Sequence, residues 1–197
     1  MSRTSDKRGR LIEAAKNLLH RKGFQGTTLS DIARESGVPL GNVYYYFKTK
    51  EELCGAVIDE RKKEVFRMLN MCCLKPDPKL ALKKFVHHII DEAEEIAECG
   101  CPNAGLCLEL DKSPSHLSAS ESCIVPLIEW ASDQFRALGY GSHKEMAVEF
   151  NARIQGIMLL GHTLHDVKLI KRQLKRVSDW VETLQPARQS EPVAGAA

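Results

Sequence analysis

The sequence predicts an all-α fold: an N-terminal three-helix helix-turn-helix domain followed by a larger C-terminal helical domain. Three observations carry this. Apolar residues recur at spacings of three and four along most of the chain. No segment shows the alternation of a strand. Clusters of Gly and Pro cut the chain into helix-length pieces.

Leu11, Ile12, Ala14, Ala15, Leu18 and Leu19 share one helical face, which predicts a first helix over 7–22, capped by Asp6 and stopped by Gly23 after Arg21 and Lys22. Thr28 is placed as an N-cap, with Asp31 in the first turn of a second helix that carries Leu29, Ile32 and Ala33 and ends at Gly37. Val38-Pro39-Leu40 leads into a third helix, Gly41 to Phe47. Two short helices around a Gly-containing turn make a helix-turn-helix. Thr49 caps a long helix that runs to about Cys73 and spans roughly 35 Å at ~1.5 Å per residue. Pro76-Asp77-Pro78 breaks the chain. A helix over 79–98 follows, then a short one around Leu106, Leu108 and Leu110 before Ser113-Pro114. Helices over 115–138, 143–165 and 168–184 complete the pattern, and the tail 186–197 is expected to be disordered. The domains are therefore 1–49 and 50–185, with the tail beyond.

Hydrophobic residues make up 43% of the 197 and charged residues 27%, the balance of a soluble globular protein. No run of 18 apolar residues exists and Met1–Arg10 is polar, so neither a membrane span nor a secretory leader is expected, and the expected location is cytoplasmic. Net charge is only +2, but residues 1–63 carry +5 and the remainder −3. That asymmetry points to a nucleic-acid or membrane contact near the N-terminus, or to a solvated helical face. Seven cysteines, an odd number, suit free thiols in a reducing compartment.

Residues 11–53 resemble the tetracycline-repressor (TetR) family of transcription regulators, through Ala14-Ala15, Leu18-Leu19, Gly23-Phe24, Thr27-Thr28, Asp31-Ile32-Ala33, Gly37-Val38, Gly41-Asn42-Val43-Tyr44, Phe47, Lys50 and Glu52-Leu53. The resemblance implies a homodimer that binds double-stranded DNA at a near-palindromic operator, and a helical C-terminal domain whose ligand lowers DNA affinity. Position 39 departs from the family, which usually has Ser or Thr there to cap the recognition helix.

The residues themselves indicate how such a head meets DNA. A short helix can enter the major groove with its N-terminal side chains at base edges, here Leu40, Gly41 and Asn42, then Tyr45. Tyr44, Tyr46 and Thr28 can donate hydroxyls to phosphates, and Lys50 adds charge at a helix N-terminus. Three adjacent tyrosines cannot all face inward on a helix, so at least one is exposed.

In the second domain Phe85, Ile89, Leu106, Trp130 and Met158, with Cys101, Cys107, Gln134 and His162 as polar members, are the candidate pocket for a small apolar or electrophilic ligand. The broad stripes of 143–165 and 168–184 serve as core or as a dimer seam, with Gly156 and Gly161 permitting close helix approach. Cys99, Cys101 and Cys107 raise the alternative of a thiol-based redox or electrophile sensor, or a small thiol enzyme. Their spacing matches no common zinc pattern. His162, His165 and Asp166 read as a polar helix end, and His87 and His88 as surface residues. No nucleophile with its base, P-loop or Rossmann turn is present, so no enzymatic activity, cofactor or metal is expected.

Overall fold

The computed structural model describes residues 3–110 and 119–185. The 186–197 tail and the stop at Ser113-Pro114 lie outside the described residues. Those described form helices and no strand. A head of α1 (Arg3–Lys22), α2 (Leu29–Ser36) and α3 (Leu40–Tyr46) is joined by α4 (Lys50–Cys72) to a bundle. The bundle comprises α5 (Pro78–Asp91), α6 (Ala93–Cys99), α7 (Pro102–Leu110), α8 (Ala119–Cys123), α9 (Val125–Ala137), α10 (His143–Thr163) and α11 (Val167–Thr183).

Two of the expected helices are divided. The 79–98 segment breaks at Glu92, whose N–H turns back to the Ile90 carbonyl, although the apolar stripe continues through Ala93, Ile96 and Ala97. In the 115–138 segment α8 stops at Cys123 and α9 begins at Val125. Pro126 sits in the first turn of α9, where a residue without an N–H is tolerated, so it starts a helix rather than continuing one.

The apolar stripes bury themselves in two cores. One packs α5, α6, α9, α10 and α11 around Phe85, Phe135, Phe150 and Ile154, and takes in Val65, Leu69 and Cys72 from the far half of α4. The other holds Leu11, Ala15, Leu18, Phe24, Ile32, Val38, Val43 and Phe47 of the head, with Leu53, Cys54, Val57 and Ile58 from the near half of α4. Leu106, Cys107 and Leu110 of α7, and Ala119 and Cys123 of α8, complete this second core. The head is thus closed by residues far along the chain, and α4 is shared between the two cores.

Gly161 lets α10 turn closely onto α11. A Cβ there would overlap Cγ1 and Cδ1 of Ile170, which is itself fully buried. Gly156, expected to serve the same purpose, faces open space. Gly161→Ala gains about 1 kcal/mol in helix propensity but overpacks a closed core, so a net loss of about 1 kcal/mol or more is expected in urea unfolding. The loss should shrink in an Ile170→Val background, which removes one of the two overlapping atoms.

Candidate nucleic-acid interface

The second and third helices are held at every end. Thr28 Oγ1 accepts from the Asp31 N–H at 3.1 Å, and the Asp31 carboxylate accepts from the Thr28 N–H at 3.2 Å and from its hydroxyl at 2.7 Å, a reciprocal capping box. Those bonds from Thr28 hold the Asp31 carboxyl below its ordinary range. Gly37 ends α2 at φ 63°, a left-handed conformation that glycine adopts without strain, and its N–H reaches the Ala33 and Arg34 carbonyls. Arg10 of α1 reaches across to the Ser36 carbonyl. Pro39 occupies the N-cap of α3 with no side-chain cap, but at φ −55° its carbonyl still accepts from the N–H groups of Asn42 at 2.8 Å and Val43 at 3.2 Å. The turn therefore survives the family's usual Ser or Thr being absent.

α3 presents two faces. Val43 and Phe47 point into the head core, whereas Leu40, Tyr44 and Tyr45 are 39%, 48% and 72% exposed. Gly41 is exposed, and Asn42 and Tyr46 are half-buried. Tyr45 and Tyr46 meet edge to face with centroids 5.0 Å apart. A Cβ on Gly41 would meet nothing within 4 Å, so packing within this chain does not require glycine there. Lys48, exposed beside this face, donates to the Tyr44 carbonyl at 2.8 Å and closes the C-terminal end of α3. It was not among the residues the sequence singled out, although a cation at a helix C-terminus is a readable signal.

Lys50 behaves differently from the expectation. Its ammonium donates to the carbonyls of Phe24 at 2.8 Å and Thr27 at 3.1 Å and lies 3.9 Å from the centroid of the Phe24 ring. It braces the α1–α2 connection rather than standing free for a phosphate. On the other side of the same residue, the Phe24 N–H donates to Glu109 of α7 at 2.5 Å. The two residues lie 85 positions apart, so no local pattern in the sequence predicts this pairing.

A chain whose described residues are helical and present a helix-turn-helix capped at both ends of its second helix, with one face of the third helix left exposed, has the architecture of a DNA-binding transcriptional regulator. A profile of the bacterial regulatory proteins of the tetR family matches residues 11–57. The chain is 30% identical over 188 residues to the HTH-type transcriptional regulator LmrA of Bacillus subtilis, a match covering 87% of this chain and 98% of that protein. It is 36% identical over 104 residues to an uncharacterized HTH-type transcriptional regulator from the lacX 3′ region of Lactococcus lactis; that match spans about half of each, 51% of this chain and 53% of the relative. A TetR-family transcriptional regulator from Agrobacterium tumefaciens shares the fold, with a TM-score of 0.80 at 18% identity over 90% of this chain and 98% of that one. The chain belongs to the TetR family.

The nine residues expected to form a ligand pocket do not surround one cavity. Phe85, Ile89 and Met158 are buried in the bundle core. Trp130 packs on Phe85 with centroids 5.3 Å apart and donates its indole N–H to the Cys73 sulfur at 3.1 Å. Gln134 donates to the Trp130 carbonyl one turn back. His162 places Nδ1 3.2 Å from the Ala97 carbonyl, which His165 also approaches at 3.3 Å. Leu106 and Cys107 belong to the head core instead. The aromatic side chains chosen for a pocket wall are large enough to fill the space they enclose. A cavity of about 770 Å³ lies elsewhere, between α1 and the α4–α7 side of the molecule.

The thiols do not converge either. All seven cysteines are unbridged. Cys99 and Cys101 flank a small pocket of about 110 Å³, whereas Cys107 is turned into the head core. Burial, with Glu98 and Glu95 nearby, pushes the Cys99 thiol up, the opposite of what a nucleophilic cysteine needs. Among the described residues no group of three or more His, Cys, Asp or Glu is placed to hold a metal. Asp166 is occupied as the cap of α11, accepting from the Leu169 N–H at 2.8 Å. Burial raises Cys54 to about 12 and Cys72 to about 11. At pH 8 only about one Cys54 in ten thousand is then a thiolate. In native protein treated with iodoacetamide at pH 8, peptide mapping should find the exposed Cys73 alkylated first and Cys54 and Cys72 last.

Proposed function

We propose that this chain is a homodimeric repressor, acting in the cytoplasm, that a small molecule releases from a near-palindromic operator. The observation that carries the reading is the division of labour on α3: Val43 and Phe47 fix the helix to the head, while Leu40, Gly41, Tyr44 and Tyr45 face outward. In the groove, Leu40 meets a thymine methyl, Gly41 allows close backbone approach, and Asn42 and Tyr45 reach base edges. Tyr44, Tyr46, Thr28 and Lys48 serve the phosphates, and Lys50 supports the head from behind. α10 supplies the dimer seam. It exposes Val148, Leu159 and Leu160, with Leu164 at its C-cap, on the side away from the buried Ile154 and Met158. The apolar stripe of α11, Ile170, Leu174, Val177 and Val181, is by contrast spent inside its own core. Release follows only if the ligand binds the DNA-free arrangement more tightly than the bound one.

Selection of bound DNA from random sequence should return a near-palindrome with half-sites about one helical turn, or a multiple, apart. A site without dyad symmetry, or sedimentation showing a monomer that binds its site tightly, would overturn the reading. Two lysines then separate contact from support. Lys48→Ala should lower the salt slope of operator binding by about two units, one for each protomer of the dimer. Lys50→Ala should leave that slope in place and instead cost about 1–3 kcal/mol of folding stability, since it removes hydrogen bonds from a charged donor to two carbonyls.

A further inference from the structure

We propose that His20 is a proton-operated latch between the DNA-binding head and the bundle: its imidazolium ties α1 to α6, and the neutral ring releases one of its two partners. The proposal goes beyond ligand release and requires only that the head binds DNA. His20 lies in the last turn of α1, with its side chain 7% exposed. Its Nε2 is 2.9 Å from the carbonyl of Gly100, just past the end of α6, and its Nδ1 is 3.2 Å from a carboxylate oxygen of Glu95 within α6. Both partners are acceptors. A neutral imidazole has one N–H and one lone pair, so it donates to one oxygen and turns its lone pair on the other. The imidazolium donates to both.

The other charged and titratable groups around the ring have partners of their own. On α1, Lys16 is bridged to Glu13 and Glu64, Arg21 to Glu35, and Lys22 lies near Asp31. From α4, Arg61 meets Glu64 at 3.2 Å. From α7, the Glu109 carboxylate accepts from the Phe24 N–H, and the Cys101 sulfur from the Ala104 N–H. Cys99 of α6 shares the small pocket beside His20, with burial, Glu98 and Glu95 all opposing its ionisation. At the far side of the α6 end, His162 of α10 and His165 just after it place Nδ1 3.2 and 3.3 Å from the Ala97 carbonyl. Among the described residues the ion-pair partner of Glu95 is His20.

The sign follows from the count of donors. The fold offers the imidazolium one more acceptor than the neutral ring can use. The tie therefore strengthens as pH falls and is lost as pH rises, over the range of about pH 5–8 in which histidine changes charge. Its two ends belong to different cores: α1 supplies Leu11, Ala15 and Leu18 to the head, and α6 supplies Ala93, Ile96 and Ala97 to the bundle. The Lys16–Glu64 bridge nearby joins α1 to α4 and not to α6. Acid thus fastens the head to the bundle, and base leaves the Gly100 bond alone to hold it.

The test uses full-length protein at constant ionic strength, at pH 6 and pH 8. His20→Gln keeps an N–H for the Gly100 carbonyl but cannot take up a proton. Glu95→Gln, at a side chain 67% exposed, offers an amide N–H to the lone pair of the neutral ring and leaves both cores intact. From pH 8 to pH 6 the unfolding equilibrium constant, measured in urea at one protein concentration, should fall about threefold or more further in wild type than in either variant. Combining the two substitutions should remove no more of this excess than either does alone. The pH dependence of operator affinity should differ between wild type and each variant by about threefold or more. It should remain as in wild type in His88→Gln, whose half-exposed ring meets Glu92 one turn away on the surface. Absence of the stability excess from wild type, an excess that survives Glu95→Gln, an equal loss in His88→Gln, or the same pH dependence of operator affinity in all four proteins overturns the proposal. Should His20→Gln fail to fold, Glu95→Gln alone decides between these outcomes.

Discussion

The orientation of the DNA-binding head depends on the backbone of one residue, Phe24. Its N–H donates to Glu109 from α7, its carbonyl accepts from Lys50 at the start of α4, and the same ammonium lies over its ring. The approach of Glu109 needs the residue before it to be glycine. Gly23 has φ 71°, and a Cβ there would lie 2.5 Å from a Glu109 oxygen. Phe24 itself is buried in the head core, so it cannot move without that core moving. Polar grip and apolar burial thus act on the same residue, and together they tie the α1–α2 connection to two helices from the other half of the chain.

The two cores make this coupling mechanical. Because α4 contributes to both, a change in how the bundle packs against Val65 and Leu69 is carried along a stiff rod to Leu53 and Val57 under the head. Because α7 and α8 close the head core with Leu106, Cys107 and Leu110, the head is not an independent unit hung on a linker. Close-packed interiors pass displacement on rather than absorb it. A small rearrangement among α1, α4 and α7 is therefore enough to move the head relative to the bundle.

Much of this was legible in the sequence because the signals are local. Capping at Thr28, the stop at Gly37 and the burial of Val43 and Phe47 opposite exposed tyrosines are all set by residues within a turn or two of each other. Pro39 shows the same locality from the other side: the family's usual cap is absent, yet the proline's fixed φ and its carbonyl keep the turn. The breaks at Glu92 and before Pro126 were less visible, since the apolar stripe runs through the first and a proline near a helix start reads equally well as interior until neighbours are placed.

The sequence by itself determined the helices, the helix-turn-helix and which face of α3 is left outward, because these follow from periodicity and backbone chemistry over a few residues. Only the tertiary structure decided where the cavity lies and what Lys50 does. Phe85, Trp130 and Met158 have the composition of a pocket wall, but whether large apolar side chains enclose space or fill it depends on how helices distant in sequence meet, and here they fill it. Lys50 has the chemistry of a phosphate contact, but two carbonyls and a ring more than twenty residues back claim its ammonium. Charge and hydrophobicity are properties of a residue. Partners are a property of the fold, and they are chosen by which groups would otherwise be buried unsatisfied.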